Sequence, residues 1–192
     1  CFVTGGAGFI GSHLVDRLLK DNHEVTVYDN LSSGHKKFIA HHFDNPKFLF
    51  LKADLLEKKR LEHEIRDHDV VFHIAANPDV RSGKDDPSMA EKDMQATFNL
   101  LDAMRKTNVN KIVFSSSSVI YGETPEKPLS EDYGPLLPIS VYGAAKLASE
   151  GLISSFSHTF DFQSWMFRFA NVVGIRGTHG VIIDFINKLK QN

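Results

Sequence analysis

Residues 1–13 read CFVTGGAGFIGSH, and this stretch decides the fold. A short apolar run typical of a β-strand leads directly into closely spaced glycines, and residues with helical spacing follow. Gly6, Gly8 and Gly11 form the pattern G-x-G-x-x-G, and Gly5 starts a second pattern, G-x-x-G-x-x-G. Glycines let the backbone turn tightly and approach a pyrophosphate, whose charge the N-terminus of the following helix stabilises. The stretch predicts a phosphate-binding turn; the alternative is a tight strand-to-helix turn without a ligand.

An acidic residue at the end of the second predicted strand narrows the choice of ligand. Asp29 follows the glycine turn at the distance where a carboxylate can accept hydrogen bonds from both ribose hydroxyls of an adenosine. The same charge would repel a 2′-phosphate, so the sequence favours NAD over NADP. Lys36 and Lys37 lie well beyond the strand end and are expected to be solvated.

Strand-like and helix-like segments alternate along the chain. We predict strands over 1–4, 24–29, 47–54, 69–76, 111–117 and 162–174, and helices over 10–21, 57–66, 88–107, 141–159 and 180–190. Segments 75–88 and 116–140 are predicted loops because they are rich in Pro, Gly and Ser, and loops of such length are usually functional. Alternation of this kind predicts an α/β fold with a parallel sheet covered on both faces.

Composition excludes several classes of protein. The 192 residues contain 24 acidic and 22 basic side chains, and the formal charge of -2 gives no basic field for nucleic acid. The single cysteine, Cys1, excludes an internal disulfide framework and fits a reducing compartment. No apolar run approaches the roughly 18 residues of a membrane span, and no signal peptide is recognisable. We therefore expect one cytoplasmic domain that acts on a small molecule.

Two further strand ends lie where a cofactor crevice is expected. Asp54 follows the third predicted strand and either receives an adenine amino group or caps the next helix. Ala75 and Ala76 are small enough for a dinucleotide to lie close to the backbone. His73, inside an apolar run, is expected to be a hydrogen-bonded core histidine.

The pair of adjacent histidines, His41 and His42, is the one candidate for a metal site. We predict that no metal binds there, because adjacent side chains point apart and no third ligand shares their spacing.

The candidate catalytic residues come later in the chain. Tyr142 and Lys146 lie four apart on a predicted helix and therefore on one face of it. A neighbouring ammonium and a positively charged nicotinamide would both favour the phenolate, which would turn tyrosine into a usable proton acceptor. Serines 115–118 end the fifth strand, where their hydroxyls could hydrogen-bond a sugar hydroxyl or carbonyl. An ordinary amphipathic helix is the alternative explanation of the Tyr-Lys spacing.

Several of these motifs occur together and in one order, and with them the chain resembles the extended short-chain dehydrogenase/reductase family. Within that family it is similar to the UDP-glucose 4-epimerase-like, NAD-dependent epimerase/dehydratase proteins. The stretches that carry the resemblance are VTGGAGFIGSH, YDNLSSG, FHIAANPDV, FSSSSVIYGE, YGAAK and RFANVVG. The resemblance covers essentially all 192 residues. It implies a Rossmann-type doubly wound sheet, NAD as cofactor and a UDP-sugar as substrate.

The resemblance also implies a role for each matching residue. Tyr142 would be the base, Lys146 would lower its pKa and bind the nicotinamide ribose, and Ser117 would bind the sugar 4-hydroxyl. Asn171 would meet the nucleotide-sugar diphosphate. The residues implied to bind NAD, besides Tyr142 and Lys146, are Gly5, Gly8, Phe9, Ile10, Gly11, Asp29, Asn30, Ser33, Gly34, Asp54, Leu55, Ile74, Ala75, Ala76, Asn77 and Ser115.

Family patterns discriminate among the possible reactions. Related 4,6-dehydratases carry an Asp-Glu pair directly after the catalytic hydroxyl residue, and related decarboxylases carry a Glu two residues after it; this chain has Ser118 and Val119 there. The catalytic cysteine of the reducing epimerases is also missing. The resemblance therefore implies epimerisation at C4 through a 4-keto intermediate. The alternatives are a non-catalytic NAD-binding sensor or scaffold protein of the same fold, or another nucleotide-sugar-modifying enzyme of the family.

One residue departs from the family pattern. Relatives commonly carry an Asn in the pattern N-x-x-[GA]-T, where this chain has Asp93. The resemblance further implies a homodimer through the helices at 88–107 and 141–159. It also implies that segment 175–192 leads toward a C-terminal substrate domain that this chain largely lacks, so that the 192 residues are an NAD-binding domain trimmed at both ends.

Overall fold

A computed structural model describes residues 1–77, 86–124, 128–178 and 180–190. One six-stranded sheet forms the centre, with every strand pair parallel. Its strands are β1 (Phe2–Thr4), β2 (Val25–Asp29), β3 (Phe48–Lys52), β4 (Val71–His73), β5 (Lys111–Ser117) and β6 (Gln163–Phe169). The helices are α1 (Phe9–Lys20), α2 (Lys58–Glu64), α3 (Ser88–Thr107), α4 (Val141–Phe160) and α5 (Val181–Lys190). Short 3₁₀ turns cover Lys36–Phe38, Ala40–His42 and Ser118–Tyr121.

The strand order, β3-β2-β1-β4-β5-β6, reverses direction beside β1. The chain runs outward from β1 to β3, crosses back to β4 on the other side of β1, and then runs outward again. A crevice opens at such a switch point, outside the carboxyl ends of the strands, and ligands of open α/β sheets bind there. The predicted Rossmann-type doubly wound fold is confirmed.

Two apolar clusters cover the two faces of the sheet. One contains Leu61 of α2, Leu100 of α3 and Ile153 of α4, all fully buried. The other contains Val15 of α1 and Val27 of β2. Because parallel strands carry apolar residues on both faces, helices on both sides are needed to exclude water from them.

The predicted strands 3, 4 and 6 are too long at their carboxyl ends. They end at Lys52, His73 and Phe169, respectively, rather than at Asp54, Ala76 and Gly174. The reason is pairing: β4 is matched to the three residues of β1, and β6 ends where β5 does. The predicted loop at 116–140 also starts too early, since β5 includes Ser117. Parts of both predicted loops, residues 78–85 and 125–127, lie outside the described residues.

Two further surfaces bear on assembly. Helices α3 and α4 pack against each other, and Phe98 and Phe160 on them remain 41% exposed. The homodimer through these helices stays a prediction. At the other end of the described sheet β6 pairs only with β5, and Trp165 and Phe167 on it are 46% and 50% exposed. Among the described residues, no helix is long and apolar enough to cross a membrane.

Candidate active site

The glycine turn joins β1 to α1 and allows close backbone approach. Gly5 has φ +68°, and a Cβ on it would lie 2.6 Å from the backbone N of Ala75. A Cβ on Gly11 would collide with the carbonyl oxygen of Gly5 and come within 2.8 Å of Gly6 Cα. Gly8 is the N-cap of α1 and has no side chain with which to cap it. The N–H groups of the first helical turn are therefore available to an anion.

Asp29 ties this turn to the loop after β2. Its Oδ2 accepts a hydrogen bond from Ala7 N (2.9 Å), and its Oδ1 accepts one from Leu31 N (2.8 Å). Burial raises the pKa of Asp29, and these two hydrogen bonds partly counteract that effect. Each carboxylate oxygen retains a second lone pair for a ribose hydroxyl. Gly34 packs closely here, since a Cβ on it would lie 3.0 Å from Asp29 Oδ2.

The predicted adenine-binding residues form a hydrogen-bonded turn. Asp54 Oδ1 accepts from Leu56 N (2.9 Å), and its Oδ2 accepts from the side-chain amide of Asn30 (2.8 Å). Asp54 thus stabilises the turn before α2 and is bonded to the side chain of Asn30. It does not cap the helix as the alternative predicted, because the N-cap of α2 is Glu57. Leu55 is buried in the core. Ser33 is exposed on the ribose loop, and the adenine contacts of Asp54 and Leu55 stay predictions.

His73 is buried at the end of β4 and bonded on both ring nitrogens. Nδ1 lies 2.9 Å from the Thr4 hydroxyl and Nε2 lies 3.1 Å from the Thr97 hydroxyl. Burial lowers the pKa of His73 to about 3, and the charge of Lys146 acts in the same direction. The ring is therefore neutral, and the prediction of a satisfied core histidine is confirmed.

The hydrogen-bond donors fix the tautomer of this ring. Thr97 donates its hydroxyl proton to the carbonyl of Asp93 (3.0 Å), so it must accept from His73 Nε2–H. Nδ1 is then the acceptor, and Thr4 donates to it while accepting from Ala75 N (3.2 Å). The chain of bonds runs from Ala75, where the nicotinamide is predicted to lie, across β1 and β4 to α3.

Tyr142 and Lys146 lie on α4, whose first turn is capped by the Ser140 hydroxyl accepting from Gly143 N (3.0 Å). Lys146 is 5% exposed, and its Nζ donates to the carbonyl of Ser115 (2.7 Å). The same Nζ lies 5.8 Å from the centre of the Tyr142 ring. Burial lowers the pKa of Lys146 to about 8, while Asp93 acts to raise it.

The pKa of Tyr142 is raised in this chain, so Lys146 by itself does not outweigh the effect of burial, and the predicted lowering by Lys146 together with a bound nicotinamide stays a prediction. Burial is the largest cause, and Asp93 adds to it, while a side-chain hydrogen bond with Ser117 acts in the opposite direction. Spacing on a helix places Lys146 beside the ring, but Nζ is directed to the Ser115 carbonyl. The structure does bring Tyr142, Lys146 and Ser117 together.

The serine run presents its hydroxyls to different surroundings. Ser115 donates to the His73 carbonyl (3.3 Å), and Ser117 accepts weakly from Val119 N (3.4 Å). Ser116 Oγ is buried and has no hydrogen-bond partner within the described part of the chain. A buried hydroxyl without a partner costs free energy, so this atom marks a position where another group is expected.

A cavity of about 870 Å³ opens beside Ser118, between β6 and the segment after β5, and its lining does not include Ser117, Tyr142 or Lys146. Arg168 on its wall donates to both carboxylate oxygens of Glu150 (3.0 and 2.9 Å) and to the Tyr121 hydroxyl (3.0 Å). Asn171 lies exposed just beyond β6, next to the wall residue Ala170. The structure does not bring it into the Tyr142 cluster.

Sequence reasoning missed the partners that hold this site in place. Thr4, Thr97 and Ser149 form one buried hydroxyl chain with His73, because Ser149 Oγ lies 3.0 Å from the Thr97 hydroxyl. The spacing of Asp93 and Thr97, four apart on a helix, was the available signal for part of it. The Arg168–Glu150 pair spans 18 residues and two elements, and no local pattern indicates it.

The reason given for excluding a metal at His41 and His42 is wrong. The Nε2 atoms of both histidines converge on Asp16 Oδ1, at 2.9 and 2.7 Å, so a third potential metal ligand is present. The carboxylate also pairs with Arg176 (2.8 Å) through Oδ2. Burial alone would raise the pKa of Asp16, but the hydrogen bonds from His42, Arg176 and His41 lower it. In this structure the cluster is an ion-pair network that joins α1 to the segment after β6.

Taken together, the doubly wound sheet, the glycine turn and the carboxylate of Asp29 define a dinucleotide-binding domain of the Rossmann class. Comparison with known proteins gives the family: the model of the NAD dependent epimerase/dehydratase family matches residues 1–192. The chain belongs to this family.

Individual relatives agree with this assignment. UDP-glucose 4-epimerase of Mycolicibacterium smegmatis is 39% identical over 97% of this chain, which spans 62% of that protein. A crystal structure of UDP-galactose 4-epimerase superposes with a TM-score of 0.90 at 46% identity, covering 100% of this chain and 62% of that one. UDP-glucose 4-epimerase of Thermotoga maritima, solved with UDP-glucose, gives 0.89 at 32% identity over 99% of this chain and 62% of that one. The UDP-glucose 4-epimerase of Thermus thermophilus in complex with NAD superposes with a TM-score of 0.79 at 36% identity, covering 87% of this chain and 53% of that one.

Proposed function

We propose that this chain is the NAD-binding and catalytic part of an enzyme that epimerises a nucleotide sugar at C4, of the UDP-glucose/UDP-galactose type. The observation that carries the proposal is the cluster of Tyr142, Lys146 and Ser117 at the carboxyl end of β5. It lies across the switch-point crevice from the glycine turn, so one dinucleotide could reach both. The family membership and the relatives described above support the same reaction.

The residues present fit NAD. Phosphates would meet the uncapped first turn of α1 at Phe9, Ile10 and Gly11, where side chains are absent or outside the turn. Asp29 offers its remaining lone pairs to the adenosine ribose. At the other end, the small side chain of Ala75 leaves room beside the backbone. When bound, NAD would accept a hydride from sugar C4 and return it.

The side chains of this chain would then handle the proton and the orientation of the sugar. Tyr142, as phenolate, takes the proton from the 4-hydroxyl as the C4 hydrogen leaves as hydride, so a C4 ketone forms. Ser117 hydrogen-bonds the same oxygen and orients it. After the ketone turns over, hydride returns to its opposite face and Tyr142 gives the proton back to O4. Lys146, held by the Ser115 carbonyl, supplies positive charge beside the phenolate.

Overall shape does not separate this reaction from dehydration. A dTDP-glucose 4,6-dehydratase from Streptomyces venezuelae gives a TM-score of 0.93 at 30% identity over 99% of this chain and 62% of that one. The separation rests on Ser118 and Val119, because neither side chain can supply the acid and base that elimination across C5 and C6 requires.

A non-catalytic NAD-binding protein is the second candidate, and the raised pKa of Tyr142 favours it. A tyrosine that holds its proton more tightly is a weaker base at neutral pH. The two candidates differ in a measurable way, since only the enzyme depends on the Tyr142 hydroxyl.

The test is conversion of UDP-galactose to UDP-glucose by the full-length protein, followed by chromatography of the nucleotide sugars. Tyr142→Phe should lower the rate by about 10³-fold, in the range of positioned acid–base groups, while NAD affinity changes little. Tyr133→Phe, outside the cluster, is the matched control and should retain the rate. Absence of turnover on any UDP-hexose, with NAD bound and Tyr142→Phe indistinguishable from the parent protein, would establish the second candidate.

A further inference from the structure

Asp93 occupies a central position between the nicotinamide loop and the catalytic helix. It lies in the second turn of α3, partly buried, and both carboxylate oxygens accept from the backbone N of Asn77, at 3.2 and 3.1 Å. Its own carbonyl accepts from the hydroxyl of Thr97, a member of the hydroxyl chain through His73. Asp93 therefore helps to fix the segment after β4 against α3, together with the Asn77–Met89 and His73–Thr97 hydrogen bonds.

The surroundings of Lys146 contain few charges that could balance its ammonium. His73 on β4 is neutral, and Tyr142 on α4 keeps its proton at neutral pH. Asp93 on α3 is the one carboxylate in the described chain whose charge raises the pKa of Lys146. A buried cation is strongly disfavoured unless an opposite charge lies nearby.

We propose that Asp93 is a positioning residue, whose carboxylate holds Asn77 at the nicotinamide end of the site and serves as the counter-charge of the buried Lys146 ammonium. For catalysis the inference rests on the proposed function; for the ionisation of Lys146 it does not. An asparagine at this position would keep an oxygen acceptor for Asn77 N–H but would supply no charge. The carboxylate is therefore an electrostatic device as well as a hydrogen-bond acceptor.

The charge of Asp93 should set the pH range in which the enzyme is active. Asp93 raises the pKa of both Lys146 and Tyr142. Activity would require the phenolate of Tyr142 and the ammonium of Lys146, so the titrations of these two groups set the two limits of the pH profile. Removing the charge should move both limits to lower pH. A purely structural residue would change the height of the pH profile and leave its limits in place.

The first experiment needs no turnover. The protein is prepared with ¹³C-labelled lysine, the Lys146 signal is assigned by its loss in Lys146→Met, and its titration is followed by NMR. We expect a midpoint near pH 8 that falls by about one pH unit in Asp93→Asn. Glu91→Gln removes the same charge from an exposed position on the same helix and should leave the midpoint unchanged. An unchanged midpoint in Asp93→Asn would overturn the inference.

The second experiment follows the pH dependence of epimerisation. In Asp93→Asn both limits of the profile should shift to lower pH, whereas Glu91→Gln should match the parent protein. Limits that stay in place would also refute the inference. If the parent protein shows no turnover, the proposed function fails, while the NMR titration still decides the role of Asp93.

Discussion

The two ends of the candidate site are built on different physical principles. The phosphate and ribose end, formed by β1, α1 and β2, uses backbone groups, closely packed glycines and one carboxylate with two N–H partners. The chemical end, formed by β4, β5 and α4, uses buried ionisable side chains, of which Lys146 is 5% exposed and His73 is 1% exposed. Close steric fit determines what the first end can bind, whereas shifted pKa values determine the chemistry of the second end.

This difference indicates where each end is vulnerable. A rigid backbone turn tolerates almost no added volume, because no side-chain rotation can relieve a collision with a carbonyl group. A cluster of buried ionisable groups tolerates changes of shape better, but it loses stability when the pH or the charge balance changes. Substitutions should therefore act sterically at one end and through pH at the other.

The largest effect is expected at the glycine turn. Gly11→Ala would place a methyl group against the Gly5 carbonyl, so it should cost about 3 kcal/mol of stability and abolish measurable NAD binding. Calorimetric titration with NAD and chemical unfolding would measure both. The control is Gly151→Ala on α4, where nothing lies within 4 Å of the added carbon and helix propensity should improve stability by about 0.5–1 kcal/mol. Retention of NAD affinity in Gly11→Ala would show that shape is not decisive there.

A smaller, pH-dependent effect is expected at His73. Its pKa is about 3 in the folded chain against 6.5 when unperturbed, so the unfolded state takes up the proton first as the pH falls. Stability should decrease by about 2 kcal/mol between pH 7 and pH 5 from this residue alone.

The measurement is urea unfolding of the parent protein and of His73→Gln at both pH values. His73→Gln should be less stable than the parent protein at pH 7, but its free energy of unfolding should fall less between pH 7 and pH 5. Exposed His63→Gln is the control and should keep the parent's pH dependence. Equal slopes for the parent and His73→Gln would contradict a neutral buried imidazole.

The smallest effect is a gain of stability at Lys146. Its pKa falls from 10.5 to about 8, so at pH 7 the folded state bears the cost of a buried charge. Lys146→Met removes that cost but also the hydrogen bond to the Ser115 carbonyl and the charge that faces Asp93, which leaves a net gain of no more than about 1 kcal/mol at pH 7. The gain should shrink as the pH rises toward 10.5, where the unfolded lysine also loses its proton.

Unfolding at pH 7 and pH 10 would check this prediction, with Lys111→Met, at the exposed start of β5, as the control. The variant should also lose epimerase activity. A loss of stability at pH 7 would mean that the Ser115 hydrogen bond outweighs burial.

Much of the fold and of the site could be predicted because the deciding signals are local. The glycine spacing, Asp29 after a strand and the four-residue step from Tyr142 to Lys146 each reflect one element and its geometry. The strand ends were predicted less well, since β4 stops at His73 only because β1 provides three partners. Pairing of that kind is a property of two distant segments.

The ionisation states could not be predicted for a related reason. The pKa of Tyr142 depends on burial and on Asp93, which reaches it from another helix. The convergence of His41 and His42 on Asp16 likewise needed the position of α1. Residue types and spacing identify the ionisable groups, whereas the packing of separate elements determines their protonation states.

The aromatic strand β6 has a practical consequence for anyone handling these 192 residues. As the described sheet's last strand it presents unpaired backbone groups along one side, flanked by the exposed rings of Trp165 and Phe167. Such an edge is a template onto which a second chain can add a strand, and concentrated solutions would self-associate through it. Replacing Trp165, which does not line the cavity beside β6, by lysine should weaken this self-association and leave the cavity unchanged.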